Sequence, residues 1–209
     1  MINQEAAREE GGRRAQILDA ALHVMAEHGF RGASIKRIAE RAGLKSPALI
    51  YWYFKDKHAL LEGIFTRLSP FLSTVAAAEA ALDDPPEQVL PIIVGSFARI
   101  ATQPDTGRFI RVMLSEFARH RAVANFFAER GPLVILRFLE RYLRRQVELG
   151  RLRPHDSAAA ARAFMGMLIV FVLGREIFPG VGAGFPSAEA YGEQVTGIFL
   201  SGLAASAAD

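Results

Sequence analysis

Lys45, Ser46, Tyr51, Tyr53 and Lys57 lie within the stretch AGLKSPALIYWYFKDK, Ala42 to Lys57. Ammonium groups and hydroxyls of this kind donate to phosphate oxygens, and the small Ala48 among them permits close approach to a large polyanion. A different chemistry is open to Glu116 and His120, which share a helix face at a spacing of four with Ser115 adjacent. That pair suits a metal ion or a carboxylate-oriented imidazole, but no third ligand is apparent, and His155 with Asp156 and His23 with Glu27 are comparable coincidences. The chain has no cysteine, which removes disulfides and thiolate metal sites. Even GVGAG, Gly180 to Gly184, follows no strand and reads as a loop rather than a phosphate cradle. No metal, no cofactor and no catalytic residue is expected, and catalysis is the poorer hypothesis.

The elements that must position these groups read as helices. Ile17, Leu18, Ala21, Leu22 and Met25 recur at three and four residues, and Gly29 stops the pattern. Ser34 can cap a short second helix with Ile35, Ile38 and Ala39 inward, and Gly43 can take the left-handed conformation of a sharp turn. A third short helix follows, with Ser46 as its N-cap, Pro47 at its first position and Leu49 and Ile50 as apolar anchors. Trp52 and Phe54 are expected to pack inward. Asp56 opens a longer helix whose Leu60, Leu61, Ile64, Phe65 and Leu68 face a core and whose Pro70 predicts a kink. Two short helices about a glycine turn, framed by longer ones, match a helix-turn-helix, in which the second helix enters the major groove. Backbone N–H groups at the start of that helix, with its dipole, favour phosphate.

Charge points the same way. The net charge is +3, and the first 60 residues hold ten Lys and Arg against seven acids while the rest balance. All four lysines fall between Lys36 and Lys57. An excess placed like this suits a polyanion partner for the N-terminal part.

From Arg14 to Phe65 the residues RAQILDAALHVMAEHGFRGASIKRIAERAG, then YWYF, then KDKHALL resemble the DNA-binding domain of the TetR family of bacterial transcriptional regulators. The resemblance implies that Ser34 and Arg37 contact backbone or groove from the second helix. It further implies that Lys45, Ser46 and Ala48 face the groove and that Tyr51 and Lys57 clamp phosphates. Six residues separate Leu44 from Tyr51 where the family pattern has five, which leaves the cap open among Lys45, Ser46 and Pro47.

An all-α chain is therefore expected. Residues 1–12 form a flexible tail, residues 13–60 a three-helix DNA-binding domain, and residues 61–209 a larger helical domain divided by breaks such as DDPPEQ and FPGVGAGFPS. The resemblance implies that this larger domain binds a small effector and pairs its last two long helices with those of a second subunit. Phe97, Phe109, Met113, Phe117, Phe126, Met165 and Phe171 are the pocket candidates, or plain core; they would favour an apolar or aromatic ligand. Arg99, Arg111, Arg137, Arg162 and Arg175 would select an anion if they faced that pocket, or else are solvated. Phe164, Leu168, Tyr191, Val195, Ile198 and Phe199, with glycines between them, suit a twofold dimer surface or internal packing equally. The apolar run Ala163 to Gly174 reads as a buried helix too short to cross a bilayer, and the polar N-terminus lacks the apolar region of a secretory signal. These features describe a cytoplasmic homodimer acting on double-stranded operator DNA, with no membrane partner. A helical carrier or enzyme with a vestigial DNA-binding module is the second reading.

Overall fold

A computed structural model describes residues 2–68, 75, 78–117 and 119–205, with side chains described from residue 11 onward. Its helices are α1 (Ile2–Gly32), α2 (Ile35–Arg41), α3 (Ala48–Tyr53), α4 (Lys57–Leu68), α5 (Pro86–Ala101) and α6 (Pro104–Phe117). They continue as α7 (Arg121–Arg130), α8 (Pro132–Glu148), α9 (Ser157–Glu176), α10 (Pro179–Gly182) and α11 (Ala188–Leu203). Among the described residues there is no strand, only an isolated bridge between Leu152 and Ala204. The expected all-α class is what the chain adopts. Residues expected as a tail are instead helical, because α1 already begins at Ile2. The predicted kink at Pro70 lies outside the described residues.

The chain divides into two compact units, and the division departs from the expected boundary at residue 60. Unit 1 comprises residues 1–68 and 104–125, so it keeps all of α4 and also takes in α6. Its core is built on α1. Ile17, Leu18, Ala21, Leu22 and Met25 are buried, as the period predicts, together with Ile38 of α2, Ile50 of α3, Leu60, Leu61 and Ile64 of α4 and Val112 and Met113 of α6. Polar ties fix the register: Gln16 Nε2 donates to the Ala42 carbonyl at 3.0 Å, and Arg67 of α4 meets Asp19 of α1 at 2.6 Å.

Unit 2 comprises residues 69–103 and 126–209. Here α9 packs on α8, and α11 packs on α5 and α9. The core gathers Val89, Leu90, Phe138, Tyr142, Phe164, Leu168, Phe171 and Phe199. Tyr142 donates its hydroxyl to the Asp84 carbonyl at 2.8 Å, and burial pushes its phenol well above the ordinary range. Asp156 caps α9 by accepting from Ala158 and Ala159, and those backbone N–H groups, Ala159 foremost, hold its carboxyl below the usual carboxylate value. At 20 residues, α9 as a whole is long and apolar enough to cross a bilayer by length and composition, although the apolar run within it, Ala163 to Gly174, is shorter. Burial is one-sided. Phe164, Leu168 and Phe171 enter the core while Ile169 and Val170 stay exposed.

Gly192 sets how closely α11 can approach α5. A Cβ built there would lie 2.1 Å from Val94 Cγ1. Gly192→Ala is therefore expected to cost about 1–3 kcal/mol by overpacking. A lower urea midpoint with an unchanged slope is the signature to measure.

Candidate nucleic-acid interface

The helix-turn-helix in unit 1 is assembled by local chemistry. Ser34 caps α2, its Oγ accepting from Arg37 N at 3.2 Å, as the residues predict. Gly43 takes φ +62°, the left-handed turn between α2 and α3. Across the one-residue-longer connection the cap resolves in favour of Ser46. Its Oγ accepts from Ala48 N at 3.2 Å, its carbonyl accepts from Leu49 N, and Pro47 already has helical angles. Ile50 then anchors α3, and Phe54, whose N–H donates to the Ile50 carbonyl, is buried one turn later.

With Ile50 and Phe54 held inward, the residues between them turn out. Lys45 and Ala48 are exposed, Tyr51 is 56% exposed, and Tyr53 is intermediate. Trp52 is 81% exposed, which corrects the expectation that it packs inward. The signal was available in the sequence: a residue two positions from a buried one sits about 200° round the helix. Ala48 and Trp52, four apart, share one open face.

Two expected contact residues are already engaged. Arg37 donates from Nη1 to the Gly32 carbonyl at 2.9 Å. Lys57 donates from Nζ to the carbonyls of Phe30 at 2.8 Å and Arg31 at 3.3 Å, and sits 4.8 Å above the Phe30 ring. Rather than a freely moving cation, Lys57 is a fastener that holds the end of α1 against the start of α4.

Comparison with known proteins agrees with this geometry. Residues 17–64 match the model of the bacterial regulatory proteins of the tetR family, and residues 88–198 match the C-terminal domain of AefR-like transcriptional repressors. The chain belongs to the TetR family of transcriptional regulators. YvkB of Bacillus subtilis, an HTH-type transcriptional regulator, is 26% identical over 190 residues, covering 91% of this chain and 96% of that one. BetI of Paraburkholderia phytofirmans is 33% identical over 87 residues, 41% of this chain and 44% of that protein, so this match spans less than half of that relative. Among solved structures, SmeT, the repressor of the Stenotrophomonas maltophilia multidrug efflux pump SmeDEF, has the same fold. In its triclosan complex it superposes with a TM-score of 0.75 at 24% identity, covering 94% of this chain and 93% of that one.

The remaining expected site residues of this TetR-family chain are scattered. Phe109 and Met113 are buried and Phe117 half-buried in unit 1, where Phe65 and Phe109 stack at 6.0 Å. Phe97 and Phe171 meet edge to face at 6.1 Å in the core of unit 2, with Met165 packed against that core. Phe126 lies under the Arg130 guanidinium at 4.0 Å. Of the arginines, Arg99 donates to Ser96 Oγ and Arg162 to the Ala158 carbonyl. Four of the six expected dimer residues, Phe164, Leu168, Val195 and Phe199, fill the chain's own core and have no surface left to offer a partner. Tyr191 is half-buried, its hydroxyl donating to the Met167 carbonyl, while Ile198 is 69% exposed. Ser115 donates to the Val112 carbonyl at 2.7 Å, the local bond of an ordinary helical serine.

Trp52 is the chain's one tryptophan, so fluorescence excited selectively at tryptophan reports the recognition helix alone. The free protein is expected to emit at the wavelength of a hydrated indole and to be quenched freely by iodide. A blue-shifted, unquenched emission would place Trp52 inside.

Proposed function

We propose that the chain is a homodimeric, ligand-responsive repressor that reads a palindromic operator through α3. The observation that carries this reading is the open face of α3. Ala48, Tyr51 and Trp52 are displayed together on a helix whose opposite side is locked by Ile50, with Lys45 exposed just before it, in the first 60 residues, whose charge balance of +3 equals that of the whole chain. Lys45 and the Tyr51 hydroxyl serve phosphate oxygens, while Ala48 and Trp52 offer apolar contact to base edges such as the thymine methyl. Twofold symmetry supplies the second reader, and two α3 helices about 34–36 Å apart enter successive major grooves.

The exposed sides of α9 and α11 support the dimer. Ile169 and Val170 on α9 and Ile198 on α11 are exposed apolar side chains, and Gly166 and Gly197 beside them have open space around them. Such a face becomes buried when it meets its own copy. The effector is a small apolar or aromatic molecule, in keeping with the Phe and Met side chains of the later helices and with SmeT having been solved with triclosan. It acts by preferring one of two separations of the α3 pair, and its effect on operator affinity is limited to that preference. Such a protein works in the cytoplasm.

A mobility shift on DNA flanking the gene tests the reading, and two variants separate its parts. Lys45→Ala is expected to reduce the slope of log K against log salt by about 0.9 per lost contact. Tyr51→Phe removes a neutral donor, so it should weaken binding with the slope nearly unchanged. Lys57→Ala is the less informative variant because it also unfastens α1 from α4. Tight binding of an apolar ligand with no operator shift would favour a carrier instead. For the dimer, Ile198→Glu is expected to give monomers at micromolar concentration in sedimentation, and a retained dimer would move the interface elsewhere.

A further inference from the structure

Outside the α3 surface, unit 1 contains a polar cluster that DNA reading does not use. Glu116, near the end of α6, is only 2% exposed, yet its Oε2 has no hydrogen-bond partner. A buried, unsatisfied carboxylate oxygen is costly and is relieved by a cation. His120, four residues on, brings Nε2 to 3.5 Å from that oxygen. The His120 ring meets His58, from the first turn of α4, edge to face with centroids 5.8 Å apart. His58 in turn lies 5.0 Å from the Phe30 ring at the end of α1.

The geometry points to a binding site for a divalent transition-metal ion, with Glu116, His120 and His58 as its ligands. On a tetrahedral ion with bonds of about 2.0–2.1 Å, neighbouring donor atoms sit about 3.3 Å apart, and two imidazole centroids about 5 Å apart. The Glu116–His120 separation matches the first distance. The His58–His120 separation exceeds the second by less than a side-chain rotation supplies. As the side chains stand, no three such groups among the described residues are gathered around one point. His58 must therefore swing toward the pair, and it is exposed and able to do so. Two neutral imidazoles and one carboxylate form a donor set that zinc accepts, leaving a fourth position for water or a further ligand. His120 is partly exposed, which gives the ion a way in. Once bound, the ion joins the start of α4 to the end of α6.

Untagged full-length protein, stripped with chelator, is titrated with Zn2+ by calorimetry and with Co2+ by visible absorption. One ion per chain is expected, with a Co2+ ligand-field band. His58→Ala and His120→Ala should each weaken binding at least tenfold, while His28→Ala, at an exposed site on α1, leaves it unchanged. The thermal midpoint should rise with Zn2+ in the parent chain and not in His58→Ala. Midpoints in metal-free buffer show that both variants are folded, and Glu116→Gln, which keeps the shape of the side chain, tests the carboxylate. Absence of saturable binding overturns the site. Full affinity in His58→Ala overturns it equally, since the ion is then held without His58.

Discussion

The burial of the α1 stripe is the constraint on which unit 1 depends. Ile17, Leu18, Ala21, Leu22 and Met25 are all inaccessible, and each large apolar side chain contributes about 1.5–3 kcal/mol when fully buried. Helices of seven and six residues, such as α2 and α3, have no stability of their own in water. They persist because α2 packs on α1 and α3 packs on α2, with Ile38 and Ile50 buried. Since so few inward residues hold α3, almost all of its remaining circumference is free for recognition. Gly63 belongs to the same economy of space. A Cβ there would lie 2.8 Å from Leu18 Cδ2 and 3.0 Å from the Phe54 ring, so the missing side chain lets α4 close over both.

The membership of unit 1 ties the helix-turn-helix to a helix distant in sequence. The expected boundary at residue 60 would divide α4 between two domains. Yet α4 lies wholly within unit 1, and so does α6, whose chain neighbours on either side run into unit 2. α6 packs on both α1 and α4. α6 therefore belongs to the same core as α1 and α4.

What was legible in the sequence is what short-range chemistry decides. Ser34, Gly43, Ser46 and Asp56 announce a cap, a left-handed turn and two further caps, and each does that work within four residues of its position. The stripe of α1 was equally plain because its period is local. Facing is harder to read on α9 and α11, where apolar residues surround the helix and periodicity cannot say which side meets the same chain. Val195 and Phe199 went inward and Ile198 outward, a difference of about 100° per residue that the positions of α5 and α9 determine. The boundary of unit 1 was illegible for the same reason, since residues 104–125 join it through contacts distant in sequence.

The cluster at Glu116 shows where a motif search by spacing ends. Glu116 and His120 were visible as a pair because four residues make one helical turn. Nothing in the sequence separated them from His23 with Glu27, which has the same spacing. Tertiary structure does. His23 Nδ1 lies 2.9 Å from the Asp19 carbonyl and Glu27 pairs with Arg41, so both members of that pair are engaged by ordinary neighbours. Glu116 is buried without a hydrogen bond at Oε2, and a histidine from a helix begun 59 residues earlier stands beside its partner. The difference between a coincidence of spacing and a ligand-hungry cluster thus lies in desolvation, a property that the whole fold confers on one carboxylate.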